Sequence, residues 1–242
     1  MTFSSRPIGI FDSGIGGFTV LQEIAHLLPQ ENFIYFADAA HMPYGNKSPE
    51  VILQYSLECA ASLVKKDIKC LVIACHTASA YALDALQKQL PIPVIGMIQP
   101  SIESLMDSTK NLNVAILGTE GTIRSNVYQR LIQIEHPQAT TFPIACPLLA
   151  SLIEKGVIDH PHIKKIINRY LSPLQDIAID TALLACTHYP LIREIIQEEL
   201  GAEVVLIDPA KACARAVWRQ LDTASLLNTQ KASDSEIYAY FS

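Results

Sequence analysis

Short runs that are apolar from end to end alternate along this chain with longer stretches in which apolar residues recur three and four positions apart. The short runs are Ile8 to Phe11, Phe33 to Phe36, Leu71 to Ala74, Val94 to Ile95, Val114 to Leu117, Ala182 to Ala185 and Val204 to Ile207. Their length and composition suit strands buried on both faces of a parallel sheet. The longer stretches include Val20 to Leu28, Val51 to Lys66, Tyr81 to Leu90, Ser125 to Ile134, Ile163 to Leu171 and Leu191 to Leu200. They carry the period of helices with one apolar stripe. Strand alternating with helix predicts an α/β fold.

No Gly/Ser linker or low-complexity tract divides the chain, but a weak internal repeat does. The first strand ends in Asp12-Ser13-Gly14-Ile15-Gly16-Gly17, and a later one ends in Ala74-Cys75-His76-Thr77-Ala78-Ser79. In the second half, Val114 to Leu117 ends in Gly118-Thr119-Glu120-Gly121-Thr122, and a later strand ends in Ala185-Cys186-Thr187-His188-Tyr189-Pro190. From Asp12 to Cys75 is 63 positions and from Thr119 to Cys186 is 67. This recurrence predicts two similar pseudo-symmetric lobes, each a mainly parallel sheet flanked by helices. Ligands of open α/β sheets bind outside the carboxyl ends of the strands, so a crevice between the lobes would gather all four turns.

Half of the 242 residues are hydrophobic, enough for a sizeable core in one or two domains. The formal net charge of -6 lacks the Lys/Arg excess a nucleic-acid surface needs. Met1 to Arg6 runs into Ile8 without the plan of a signal peptide, and no apolar run approaches the roughly 20 residues of a membrane helix. The expectation is a cytoplasmic chain acting on a small molecule, with no nucleic acid, no membrane and a homodimer left open. Six cysteines in so apolar a chain read as reduced thiols rather than staples. Cys59, Cys70, Cys146 and Cys213 lie in apolar or helical stretches and read as packing residues.

Cys75 and Cys186 differ, because each follows a buried strand and precedes polar residues and a helical run. Thr77 or Ser79, and Thr187, are candidate helix caps, and a helix N-terminus stabilises a thiolate or a bound carboxylate. Two thiols suit a reaction that removes a proton on one face of a carbon and returns it on the other. A lone cysteine in this setting would be core filler, and the symmetric pair argues against that. A cysteine hydrolase would use one cysteine and one histidine and leave the second turn idle. Cys75, His76, Cys186 and His188 also spell a Cys2His2 metal set, but adjacent residues rarely point at one ion and the spacing is wrong for zinc, so no metal is expected.

The loop Asp12 to Gly17 sits where nucleotide phosphate loops sit, yet it has neither G-x-G-x-x-G nor Gly-Lys-Ser/Thr. Its glycines are expected to allow a tight turn and a close ligand. Asp12 either orients a substrate ammonium or thiol, or caps a helix. Pro43-Tyr44-Gly45 alone reads as a turn.

Taken together, Asp12 to Gly17, Pro43-Tyr44-Gly45, Ala74 to Ser79, Ala145-Cys146-Pro147-Leu148 with Glu154 downstream, and Ala185 to Pro190 resemble the glutamate racemase branch of the aspartate/glutamate racemase family over most of the chain. The resemblance implies two α/β lobes with the site between them and cofactor-independent racemisation of L- and D-glutamate through two cysteines, supplying D-glutamate for peptidoglycan synthesis. It implies Cys75 and Cys186 as opposed bases, Asp12 assisting near the first, and Glu154 and His188 near the second. Ser13, Thr77 and Thr187 would hold the α-carboxylate and ammonium, and Pro43, Tyr44 and Gly45 would line the side-chain carboxylate pocket. Thr119 and Thr122 would add contacts, and His76 falls among the substrate-binding positions. The implied lobes are 1–97 plus 208–242, and 98–207. An aspartate racemase and a weakly active or non-catalytic homologue that binds an acidic ligand are the alternatives.

Two positions depart from the family pattern. His76 stands where asparagine is usual, and Ala39 follows Asp38 where threonine is usual. An imidazole ordinarily changes charge near pH 6.5, so the expectation at His76 is altered substrate affinity or pH dependence.

Overall fold

The computed structural model describes residues 3–158, 160–229 and 235–242. Met1 and Thr2, at the start of the segment read above for a leader, lie outside the described residues, as do 230–234 in the C-terminal segment assigned to the first lobe. In the first half, β1 (Ile8–Asp12), α1 (Phe18–Leu27), β2 (Phe33–Ala37), α2 (Pro49–Val64), β3 (Cys70–Ile73), α3 (His76–Gln89) and β4 (Val94–Gly96) follow one another. α4 (Ile98–Ser108) leads to β5 (Asn113–Gly118), α5 (Glu120–Arg124), α6 (Val127–Glu135), β6 (Thr140–Ala145), α7 (Leu149–Glu154), α8 (His160–Leu171), β7 (Thr181–Ala185), α9 (Arg193–Leu200) and β8 (Val205–Ile207). α10 (Ala210–Thr223) and β9 (Ile237–Phe241) complete the order.

Two parallel sheets result. The first runs β4-β3-β1-β2-β9 and the second β8-β7-β5-β6, so the first four strands of each half are laid down in the same spatial order. In both, the chain switches sides of its starting strand, which leaves a gap at the carboxyl ends between β1 and β3 and between β5 and β7. Asp12 and Cys75 flank the first gap, and Thr119 and Cys186 flank the second.

The inner strands β1, β3, β5 and β7 are largely apolar because both of their faces are covered. Ile8, Ile10, Tyr35 and Val72 pack against α1 and α10, while Phe11, Leu71 and Ile73 pack against α2 and α3. In the second sheet Leu117, Ala182 and Leu184 meet α7, α8 and α9, and Val114, Ile116 and Leu183 meet α4 and α6. Among the described residues no helix is long and apolar enough to cross a membrane.

Two strands were not among the short apolar runs. β6 is an edge strand that is mostly partly exposed and contains Pro143, which only an edge tolerates. β9 is exposed along its whole length and follows a polar stretch. α4 and α10 were likewise not read from the pattern. α4 accommodates Pro100 because it falls in the first turn, where an N–H is free anyway.

Candidate functional site

Cys75 is itself the N-cap of α3. Its sulfur accepts from the N–H of Ala78 at 3.5 Å and lies 3.7 Å from the Ser13 hydroxyl. Thr77 and Ser79 are therefore not the cap, contrary to the sequence expectation; Ser79 instead ties Ile73 O to the N–H of Met97. The second turn also differs from expectation. Cys186 and Thr187 lead into a short 3-10 turn, Tyr189–Ile192, and α9 begins only at Arg193 with no side-chain cap from Thr187.

Both thiols open on one narrow cleft whose free volume is about 20 Å³, room for about one water. Of the residues proposed from the sequence, Ser13, Pro43, Tyr44, Gly45, Cys75, His76, Thr77, Thr119, Cys186, Thr187 and His188 line it, joined by Met42, Ala150 and Ala185, which sequence reasoning missed. Asp12, Glu154 and Thr122 do not line the cleft; each backs a residue that does. Asp12, fully buried, accepts from the N–H groups of Gly14 at 3.2 Å and Gly17 at 3.1 Å and from the Thr187 hydroxyl at 3.4 Å. Thr122 completes a hydroxyl triangle with Thr77 and Thr119, the sides being 2.8, 3.0 and 3.1 Å. Tyr44 is in the wall, but its hydroxyl is donated to Asp38 at 2.5 Å and has no proton left for a ligand.

Glu154 accepts from His188 Nε2 at 2.5 Å and from the N–H of Ile15 in the opposite half at 3.1 Å. His188 Nδ1 lies 3.8 Å from the Cys186 sulfur. Burial alone would lower the His188 pKa, but the contacts with Cys186 and Glu154 and the charge of Asp12 outweigh it and lift it to about 10. His188 is thus an imidazolium at neutral pH. Burial tends to raise Glu154, yet His188 and the Ile15 N–H bring it below the usual carboxylate value. Asp12 moves the other way, since its burial outweighs the help of His188 and the loop N–H groups.

The two thiols sit in different fields. Burial, then the nearby Asp12 charge, pushes Cys75 up to about 12, so it rests as the neutral thiol. Cys186 faces an imidazolium that can neutralise a sulfur anion and donate to it. Cys59, Cys146 and Cys213 are pushed up to about 12 by burial and Cys70 is raised as well, which keeps all four as inert core thiols.

His76 is 2% exposed, and its Nδ1 is 2.6 Å from the hydroxyl of Tyr128 on α6. Burial pushes its pKa down to about 3, so the expected charge change near pH 6.5 does not occur at this position. Its ring is spoken for by Tyr128 and that of His188 by Glu154, and among the described residues no group of three or more His, Cys, Asp and Glu side chains is gathered to hold a metal ion.

The glycines of the first loop serve close approach between the halves rather than unusual backbone angles. A Cβ on Gly14 would stand 2.7 Å from the Glu154 carboxylate, and one on Gly16 would stand 2.6 Å from both His188 and Thr187. A Cβ on Gly45 would meet Thr119 at 2.5 Å. Tyr35, another residue sequence reasoning missed, donates to Gly14 O at 2.7 Å and stacks on Phe18, holding the loop from below. Its signal was hidden because a tyrosine inside an apolar run reads as core.

The family profile described as Asp/Glu/Hydantoin racemase matches residues 11–217. A glutamate racemase of Geobacter metallireducens is 47% identical over 233 residues, 96% of this chain and 86% of that relative. The crystal structure of glutamate racemase from Francisella tularensis in complex with D-glutamate aligns with a TM-score of 0.92 at 36% identity, covering 98% of this chain and 88% of the other. That of the RacE1 isoform from Bacillus anthracis aligns with a TM-score of 0.91 at 36% identity, over the same shares of each chain.

Proposed function

Because this chain belongs to the Asp/Glu/hydantoin racemase family and is an amino-acid racemase, we propose that it interconverts L- and D-glutamate with Cys75 and Cys186 as the two proton-transfer groups and no cofactor. The observation that carries the reading is the pairing of unlike thiols on one cleft, one a neutral thiol and the other beside an imidazolium. In one direction the Cys186 thiolate takes the Cα proton, the carbon flattens into a carbanion, and the Cys75 thiol returns a proton to the opposite face. The reverse reaction exchanges the two roles, and the pair titrates as one coupled system.

Asp12 and Glu154 act as positioning groups. Asp12 fixes the first loop and Thr187, and Glu154 holds His188 charged and oriented. The hydroxyls of Ser13, Thr77 and Thr119 are the donors available for substrate carboxylates, whereas Thr187 gives its proton to Asp12. The lobes of this reading are 1–97 plus 208–242 and 98–207, supported by α10 packing on α1 and β9 pairing with β2. The glutamate preference rests on relatives named glutamate racemases, one of them bound to D-glutamate. The product D-glutamate would serve peptidoglycan synthesis in the cytoplasm.

The test is a side-by-side assay of L- and D-glutamate and L- and D-aspartate by optical rotation. Both glutamate enantiomers are expected to reach the same equal mixture, with aspartate at least about tenfold lower in kcat/KM, the worth of one methylene. Unchanged rotation with glutamate overturns the reading.

A further inference from the structure

Between β2 and α2 the chain crosses the cleft wall with little backbone structure to hold it. Two single 3-10 turns, Ala39–His41 and Tyr44–Asn46, flank the extended pair Met42 and Pro43, and neither turn has a side-chain cap. Met42, Pro43, Tyr44 and Gly45 nevertheless line the cleft. The side chains that tie them down converge on one carboxylate. Asp38, 3% exposed, accepts from the Tyr44 hydroxyl at 2.5 Å and from His41 Nδ1 at 2.9 Å, so it grips the wall on both sides of Met42 and Pro43.

The direction of both bonds follows from the acceptor. A carboxylate has lone pairs and no proton to give, so the phenol and the imidazole are the donors. Burial first, then the neighbouring Cys59 and Asp38, keep the phenol protonated. Both partners are braced by α2, where the Tyr55 ring stacks on His41 at 3.9 Å between centroids and the Cys59 sulfur lies 3.7 Å from the Tyr44 oxygen. Asp38 is fixed in turn to the neighbouring strand end, since its N–H donates to Asp12 O at 3.0 Å. Ser13 follows on that strand end, with its hydroxyl 3.7 Å from the Cys75 sulfur. The wall and the first thiol are thus referred to one edge of one sheet. Ala39, next to Asp38, has no polar group that could share this role.

We propose that Asp38 is a positioning residue for side-chain length: by holding Tyr44 and His41 it fixes residues 43–45 at a set distance from the thiols, as the wall that the side chain of the bound amino acid must reach. Asp38 touches no reacting atom. The cleft has room for about one water, so a small displacement of the wall changes a large share of the space a ligand can use. The same loop also meets the second half, where Arg124 donates to Lys47 O at 2.6 Å. Entry of anything larger than water has to part the halves. The Asp38 contacts all lie within the first half, so they keep the wall in register with Cys75 when the contact with Arg124 breaks.

The substrate part of this inference rests on the racemase reading; the anchoring of the wall does not. The test reads both, by amide hydrogen exchange of residues 44–47, where the Lys47 N–H is bonded to Tyr44 O, and by kinetics with glutamate and aspartate. Asp38→Ala removes the acceptor. Tyr44→Phe removes one donor and keeps the ring, so a variant of native shape remains if the first folds poorly. Both are expected to speed exchange at 44–47 at least about fivefold. Both raise KM for glutamate roughly tenfold, with kcat changing less than about threefold, the scale of one hydrogen bond to a charged group. The preference for glutamate over aspartate in kcat/KM falls at least about threefold, since the two differ by one methylene at this wall. In the double variant KM stays within about twofold of the larger single rise, because both changes remove the same contact. Unchanged exchange in both variants, a loss confined to kcat, an undiminished preference or additive KM rises overturns the proposal. Absence of glutamate turnover in wild type, with exchange at 44–47 responding as expected, overturns the racemase reading instead.

Discussion

His188 stands between a carboxylate and a sulfur, and its behaviour follows from both neighbours. Held by Glu154 on Nε2 and facing Cys186 on Nδ1, it stays charged up to about pH 10. The folded value lies above the ordinary histidine value, so the charge that supports Cys186 is present at and below neutral pH and is lost as pH rises through the folded pKa. Glu154→Gln removes the anion and lets burial lower His188. The alkaline limb of the kcat profile is expected to move to lower pH, with a loss on the order of tenfold at neutral pH, less than removal of a proton-transfer group itself would cost. A limb that stays in place contradicts the role given to Glu154. At this scale the sequence exposed the two cysteines, since each follows an apolar strand and precedes polar residues. It did not expose the partners. That Tyr44 spends its hydroxyl on Asp38, and that His76 is paired with Tyr128, depend on contacts between segments six to 52 positions apart, which no local pattern carries.

Among elements, the turns after β1, β3, β5 and β7 do the positioning, and the glycine loop after β1 is the most sensitive of them. Gly16 lets His188 and Thr187 come within reach of the first lobe, and an added Cβ has no free space there. Gly16→Ala is expected to displace the imidazole and lower kcat roughly a hundredfold, the cost of a shift of about 1 Å in a reacting geometry, while stability falls by about 1 to 3 kcal/mol. Steady-state kinetics beside a denaturation curve would show it; full activity with reduced stability would confine Gly16 to packing. The apolar runs placed the strands with both faces covered to within about one residue, because burial on both faces leaves no polar positions to confuse the pattern. The same reasoning passed over β6 and β9, whose edge positions leave most of their residues at least partly exposed. It also placed the cap of α3 at Thr77 or Ser79 by residue preference, when the sulfur of Cys75 takes the Ala78 N–H instead.

At the scale of the whole molecule, the matching strand orders of the two sheets turn a weak sequence repeat into equivalent positions for the two cysteines. The spacing from polar turn to Ala-Cys turn was legible because it counts the same elements in each half. The close fit of the halves was not, since it lives in contacts such as Glu154 to Ile15 N and Thr77 to Thr119 that join distant parts of the chain. A cleft with unlike thiols on opposing lobes makes one claim above the rest, that each thiol serves one face of Cα. Solvent deuterium entry at Cα tests it most directly, measured for each glutamate enantiomer with wild type, Cys75→Ala and Cys186→Ala. Wild type is expected to label both enantiomers during turnover, and each variant to stop racemising while retaining exchange of at most one enantiomer, opposite for the two variants. Racemisation by either single variant, or exchange of both enantiomers by one thiol, would contradict the account.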